Sequence, residues 1–402
     1  MTRASDTARL LGAGGTLNGA LSVDTISEKT SGSGVTIDSL NVKDGGIGGH
    51  QIGGRRNIII NGAMQVAQRG TSETGIGASA GYFTLDRFRI QPTSTAGRLT
   101  MEQVADVHDG FANALKLTCT TADTSIAAGE RLLLHQKIEG QDLQQLKKGT
   151  SDAEEFTVSF YVKGNASATY VLEIYDLDNN RQISKTFSVT TSWNRVILTF
   201  PADTTGAYDN DNAASIQMSI FLHAGSTYTS GTLNSSAFAA NNNANRAVGI
   251  SSFFDSTDRT FFITGLQMEV GSQATPFEHR SFGEELQLCQ RYFEKSYSVG
   301  TAPASDTSAG LITTDTMAGD TTTAYLAHQL KYRVAKRSAP TVTIYDQAEA
   351  SGKVTSHVTG VSTANGQTIS TEHAGDKSIS VNRPSGDAAN GFRYHYTADA
   401  EL

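Results

Sequence analysis

The sequence predicts an all-β protein: a central antiparallel β-sandwich, one short connecting helix, a smaller C-terminal β domain and an extended N-terminal segment. Three observations carry this. Apolar residues recur at every second position in one run after another: Phe156, Val158, Phe160 and Val162; Val196, Leu198 and Phe200; Ile216, Met218, Ile220 and Leu222. A period of two puts alternate side chains on opposite faces of a strand, so each run offers one apolar face for burial. Between the runs stand Gly, Asn, Asp and Thr, as in the turns of a sandwich. Finally, only 18% of the 402 residues are charged, and Gly, Ser, Thr and Asn make up the balance. That is the composition of an extracellular-type β protein, not of a helical enzyme or a disordered chain.

The same numbers exclude several classes of partner. A net charge of −8 disfavours nucleic acid and anionic membrane. No apolar run approaches the ~18 residues a bilayer span needs. The start, MTRASDTARLLG, lacks the apolar core of a secretory signal, so secretion by that route is not expected. Cys119 follows Leu115 and Leu117 on the inward face of a strand, and Cys289 falls in a helix. Two cysteines so far apart are no disulfide framework, and both read as buried free thiols.

In chain order, residues 1–56 carry short β-like pieces, Leu21–Ile26 and Val35–Val42, among Gly-rich joints. They are too short and too poor in large apolar residues to offset their own chain entropy. Such a segment is either flexible or ordered by intertwining with copies of itself or docking on a partner, and the second outcome suits an anchor. The sandwich, 57–280, opens at Asn57. Strands are expected at Tyr82–Ile90, Arg98–Val104, Asn113–Thr120, Phe156–Lys163, Tyr170–Tyr175, Ile183–Val189, Trp193–Phe200, Ile216–His223 and Arg259–Val270, with a less regular one through Leu132, Leu134 and Ile138. Gly140–Gly149 reads as a short helical turn with Leu143 and Leu146 inward. The connecting helix, 281–297, begins with Ser281 and Glu284 at capping-box spacing. Residues 298–402 form the second β region, with strands near Thr322–Val334, Thr341–Tyr345, Gly352–Val361, Ser378–Asn382 and Gly391–Thr397.

Candidate sites are sparse. Aromatic faces can stack on the apolar C–H faces of sugar rings, and Tyr175, Trp193, Tyr208 and Tyr228 sit on a strand end, a strand start and loops. For Trp193, packing is the plainer reading. Asp176 with Asp178, and Asp209 with Asp211, offer oxygens to a structural calcium. They read first as hairpin turns, because Asp and Asn tolerate left-handed geometry and the glycine and distal glutamate of a calcium loop are missing. No other cofactor is expected. Lys331, Arg333, Lys336 and Arg337 read as a solvated strand edge. Glu154–Glu155 and Glu284–Glu285 are sequence neighbours, not acids held apart across a glycosidic bond, and no nucleophile elbow or phosphate loop occurs. An enzyme is not expected.

Several motifs taken together carry a resemblance. NIIINGAMQVAQRG at Asn57–Gly70 is followed by YFTLDRF, GQDLQQLKKG, FPADTTGAYDNDN at Phe200–Asn212, ITGLQMEVG and RSFGEELQLCQRYFEK at Arg280–Lys295. In that order, over about residues 57–297, they resemble bacteriophage tail-fibre and receptor-binding proteins, notably those of marine and cyanobacterial hosts. NGAM and ITGLQMEVG also resemble the first and last strands of carbohydrate-binding-module jelly rolls. The resemblance implies a homotrimeric virion protein, assembled in the host cytoplasm. Residues 1–56 would attach it to tail or adaptor proteins, and its distal β domains would adsorb to host polysaccharide or lipopolysaccharide. A tail-spike-like glycan depolymerase and a purely structural tail adaptor are the alternatives.

Overall fold

The computed structural model describes residues 55–315, 326–358, 361–383 and 391–402, and by their backbone alone four short strands before them. Those strands are β1 (Val35–Ile37), β2 (Leu40–Lys43), β3 (Gly46–Ile47) and β4 (His50–Gln51), joined as an antiparallel meander. They belong to a compact unit, Met1–Gly54, distinct from the unit Arg55–Leu402. The other residues before Arg55, the strand piece expected at Leu21–Ile26 included, lie outside the described residues, as do residues 322–325 of the strand expected at Thr322–Val334.

The sandwich is jelly-roll-like and antiparallel throughout. Its strands are β5 (Ser72–Ile76), β6 (Arg89–Thr93), β7 (Arg98–Val104), β8 (Ala114–Thr121), β9 (Arg131–Glu139), β10 (Phe156–Gly164), β11 (Ala168–Asp176), β12 (Arg181–Val189), β13 (Asn194–Phe200), β14 (Ala214–Ala224), β15 (Ala239–Ala240) and β16 (Thr260–Val270). One sheet runs β13-β10-β16-β8-β7-β5, the other β15-β12-β11-β14-β9-β6. The alternation seen in the sequence is the packing: Phe156, Val158, Phe160 and Val162 face Leu172, Ile174, Ile216 and Ile220 in one core, while Ile197 of β13 stays 50% exposed. Gly140–Gly149 forms two 3-10 turns with Leu143 and Leu146 buried, as expected.

A short helix, α1 (Ser226–Thr229), lies in the loop after β14, and α2 (Phe282–Gln290) follows the sandwich. The C-terminal region adds β17 (Phe293–Lys295), β18 (Ile312–Asp315), β19 (Leu326–Lys331), β20 (Thr341–Tyr345), β21 (Lys353–Val358), β22 (Val361–Thr368), β23 (Ser370–Glu372), β24 (Ser378–Arg383) and β25 (Gly391–Asp399). β25 is the hub: β17 and β20 pair with its C-terminal half, β18 and β21 with its N-terminal half.

Three sequence expectations are corrected. Tyr82–Ile90 is not one strand; the chain turns at Arg87 (φ 73°) and only Arg89 onward pairs. Adjacent Asp86 and Arg87 are both buried, each held by a partner distant in sequence. Asp86 accepts from the Gln68 backbone at 2.9 Å, and Arg87 pairs with Glu401 and donates to the Lys137 carbonyl at 2.6 Å. The helix keeps its capping box but spans nine residues, because Phe293–Lys295 leave it to pair with β25. The basic cluster is not all solvated: Lys336 is 2% exposed, with Nζ 2.6 Å from the buried Glu294 carboxylate.

Candidate functional site

The aromatic residues singled out in the sequence do not form one surface. Tyr175, at the end of β11, is half-buried and donates to Asn180 Oδ1 at 2.5 Å. Tyr228 lies near it across the Arg246 guanidinium, 5.0 Å from the Tyr175 ring and 5.9 Å from the Tyr228 ring. Arg246 is itself held by Glu173 through two bonds of 2.6 and 2.7 Å. Tyr228 and Tyr208 are buried, so neither offers a ring face to a ligand. Burial raises the Tyr208 hydroxyl far above its ordinary pKa, and Lys148 Nζ lies 5.1 Å from its ring. Trp193 packs edge-on against Phe262 with centroids 6.2 Å apart, under Lys163.

The aspartates behave as turn residues. Asp176 is buried, accepts from the Asn179 backbone at 3.0 Å and pairs with Lys148 Nζ at 2.9 Å. Asp178 Oδ2 accepts from Asp209 N at 3.0 Å, and Asp211 Oδ1 from Ala213 N at 2.9 Å. The four carboxylates do not bring three ligand atoms within 4.8 Å; among the described residues, the group that does is Asp123, Glu130 and His223.

A cleft of 510 Å³ opens instead over the C-terminal sheet, lined by Arg69, Phe293, Pro303, Thr341, Thr343, Tyr345, Thr397 and Asp399. That lies within the range of small-ligand pockets, roughly 300–1,000 Å³. Its floor follows from register. Thr341 stands opposite Asp399, Thr343 opposite Thr397 and Phe293 opposite Asp399, so alternate residues of β17, β25 and β20 share one face. Ile344, Tyr394 and Tyr396 take the other face and belong to the regional core. Tyr345 closes one end, with Tyr297 edge-on to it at 6.3 Å and His395 stacked on Tyr297 at 3.9 Å.

Arg69 forms the wall from the sandwich side, its guanidinium 3.7 Å over the Phe293 ring. It donates to Asp399 at 3.0 Å and lies 3.4 Å from Glu401 and 3.9 Å from Asp86. Burial alone would lower its pKa; Glu401, Asp86 and Asp399 outweigh that and raise it. Its charge is thus already compensated, and the cleft is close to neutral. It presents the hydroxyls of Thr341, Thr343, Thr397 and Tyr345, one carboxylate that accepts and the Tyr345 ring, with Phe293 buried beneath Arg69, a set matched to a neutral polyhydroxylated ring.

Sequence reading missed this cleft. The alternation Thr341-Val342-Thr343-Ile344-Tyr345 marked a strand, but nothing in it shows that the hydroxyl face meets Arg69 and Phe293.

No protein-family model matches the chain, and no curated protein matches it. Among solved structures, similar strand arrangements occur in carbohydrate-binding modules. A family 30 module shares 11% identity over 57% of this chain and 93% of its own, with a TM-score of 0.27. TmCBM61, in complex with β-1,4-galactotriose, shares 12% over 54% and 99%, with a TM-score of 0.27. The family 11 module of the cellulosomal cellulase Lic26A-Cel5E of Clostridium thermocellum shares 12% over 53% and 99%, with a TM-score of 0.25. At these scores the likeness assigns neither ligand nor binding residue to this chain.

Proposed function

We propose that the chain is a non-catalytic glycan-binding protein, and that the cleft over β17, β25 and β20 holds a neutral sugar unit. One observation carries the reading: hydroxyls, a carboxylate and the Tyr345 ring converge over a single sheet face, and Arg69, the cation among the described lining residues, is already neutralised. An anionic ligand would meet no free positive charge there. Asp399 is the one carboxylate of the lining and is held by Arg69, so the paired acids that glycosidic cleavage requires are not what the cleft offers. The motifs quoted above extend the proposal to a homotrimeric phage tail fibre that adsorbs to a host surface glycan. Three weak sites per trimer would then gain avidity through effective concentration.

The test is calorimetry of the full chain with a panel of neutral and acidic oligosaccharides, alongside a reducing-end assay. Neutral glycans bind, and Tyr345→Ala and Thr343→Val each weaken binding by about tenfold, the effect of losing one good contact. Unchanged affinity in both variants removes the cleft from the proposal, and new reducing ends replace binding with cleavage. Light scattering tests the trimer separately, and a monomer refutes that part alone.

A further inference from the structure

A second cluster sits at one end of the sandwich, on residues of β14 and of the connection that crosses from one sheet to the other. Asp123 and Glu130 lie on the connection between β8 and β9, and His223 is near the end of β14. All three are buried, His223 completely. His223 Nε2 and Glu130 Oε2 face each other at 3.5 Å, a long contact for a hydrogen bond, and neither has another hydrogen-bond partner. The ligating atoms of the three residues all lie within 4.8 Å of one another.

Unpartnered buried polar atoms are destabilising, so two of them turned toward each other beside a third acid call for an explanation. A bound cation supplies one. Tetrahedral coordination at about 2.0–2.2 Å places neighbouring ligand atoms about 3.4 Å apart, close to the His223–Glu130 separation. The surroundings orient each ligand. His223 Nδ1 lies 2.8 Å from Ser252 Oγ, and donation there leaves the Nε2 lone pair directed at the cluster. Asp123 Oδ2 accepts from Thr95 Oγ1 at 2.7 Å and from Ala96 N at 2.8 Å. The backbone holds both acids in place: Asp123 N donates to the Phe254 carbonyl at 2.8 Å, and Gly225 N to the Glu130 carbonyl at 2.8 Å.

We propose that Asp123, Glu130 and His223 bind one divalent ion of the zinc class, which pins the crossing between the two sheets. A nitrogen donor with two carboxylates suits zinc or a similar borderline cation. Calcium prefers six to eight oxygens and is disfavoured by the imidazole. The ligand set is compact and buried, so the ion acts on stability and needs no substrate.

The experiment uses the full chain, stripped with chelator and titrated with zinc chloride or calcium chloride, with bound metal measured by mass spectrometry and unfolding followed by heat. The wild type takes up about one zinc per chain and its midpoint rises with zinc. Glu130→Gln, nearly isosteric and anchored by the same backbone bond, folds but binds zinc at least about tenfold more weakly and loses the zinc-dependent shift. Asp123→Asn behaves likewise, which guards against a folding artefact in one variant. The proposal is overturned if the stripped wild type takes up no zinc, if calcium binds in preference, or if Glu130→Gln responds to zinc as the wild type does.

Discussion

His135 gives the most quantitative prediction. It sits on β9 opposite Arg89 of β6 and Ser219 of β14, is 1% exposed, and neither ring nitrogen has a hydrogen-bond partner. Burial, and then the nearby charges of Arg89, Lys137, Arg131 and Arg87, pull its pKa from 6.5 to about 3. The folded state therefore keeps the ring neutral, while the unfolded chain protonates it near its ordinary value. The contribution to stability is full above the unfolded pKa and is lost as pH falls from about 6.5 toward 3. At pH 5 the loss is about 2 kcal/mol, from about one and a half pH units at about 1.4 kcal/mol each. The perturbation is His135→Leu, which fills similar space and cannot titrate. Urea unfolding, read by the single tryptophan, Trp193, is measured for both proteins at about pH 7.5 and about pH 5. Carboxylate protonation is common to both and cancels in the difference. The wild type should lose about 2 kcal/mol more than the variant over that interval. Parallel pH profiles would refute the reasoning, because they would mean that the ring is protonated or solvated in the folded state.

Four further outcomes follow from buried features. Lys336→Met leaves the fully buried Glu294 without its cation and should cost about 3–5 kcal/mol in chemical unfolding, with Glu294→Gln in the same chain restoring part of it. Gly62→Ala places a Cβ 2.0 Å from the Leu266 carbonyl oxygen, which accepts from Asn57 and lies beside the bond from Leu266 N to the Gly62 carbonyl, and should lower stability by about 1–3 kcal/mol in the same assay. Cys119, its thiol pushed up to about 11 by burial, and the fully buried Cys289 should resist a thiol reagent in the native chain and react fully in denaturant; rapid native labelling would contradict the packing. Glu401→Gln, which removes the shared partner of Arg69 and Arg87 without touching the cleft lining, should weaken glycan binding as well as stability, and intact binding would show that Arg69 is positioned by Phe293 and Asp399 alone.

Most strands were legible because burial on one face is a local pattern. Arg98–Val104 and Thr341–Tyr345 lie where alternation puts them, and the capping box at Ser281 is a signal four residues long. The failures share a cause that local pattern cannot carry. Tyr82–Ile90 alternates well enough for a strand, but Arg87 turns inward to meet Glu401, 314 positions away. The helix begun at Ser281 stops because Glu294 is needed by Lys336, Tyr396 and the Arg333 backbone, all of them distant in sequence. Lys336 looked solvated because an unpaired lysine would be; its partner lies 42 residues earlier. Of the candidate residues, Asp176 and Asp178 stand at the hairpin between β11 and β12, whereas Asp209 and Asp211 lie on the connection from β13 to β14, which crosses between sheets and is not a hairpin. The aromatics were chosen by type, and type does not reveal that Tyr208 and Tyr228 point inward.

The same long-range charges explain why the cleft lies where it does. The sandwich contributes Arg69, Asp86, Arg87 and Glu139, and the chain beyond it contributes Arg291, Tyr292, Asp399 and Glu401. Arg87 stacks 3.4 Å over Tyr292, whose hydroxyl bonds Glu139 at 2.5 Å, and Arg291 reaches the same carboxylate at 2.6 and 2.8 Å. Lys295 Nζ returns to the Gln68 carbonyl at 2.5 Å, beside Arg69. Ion pairs exposed to water would hold such a joint weakly, but the side chains of Arg87, Glu401 and Glu139 are buried, and separating them from their partners would strand charges in a low-dielectric interior. The joint therefore opens at high cost or not at all, and Arg69 is fixed over Phe293 before any ligand arrives. A wall held rigid by one region over a floor built by another is a preorganised site, which loses little conformational entropy on binding. Neither region alone would make that cleft, since Arg69 lies on one and Thr343, Tyr345 and Thr397 on the other.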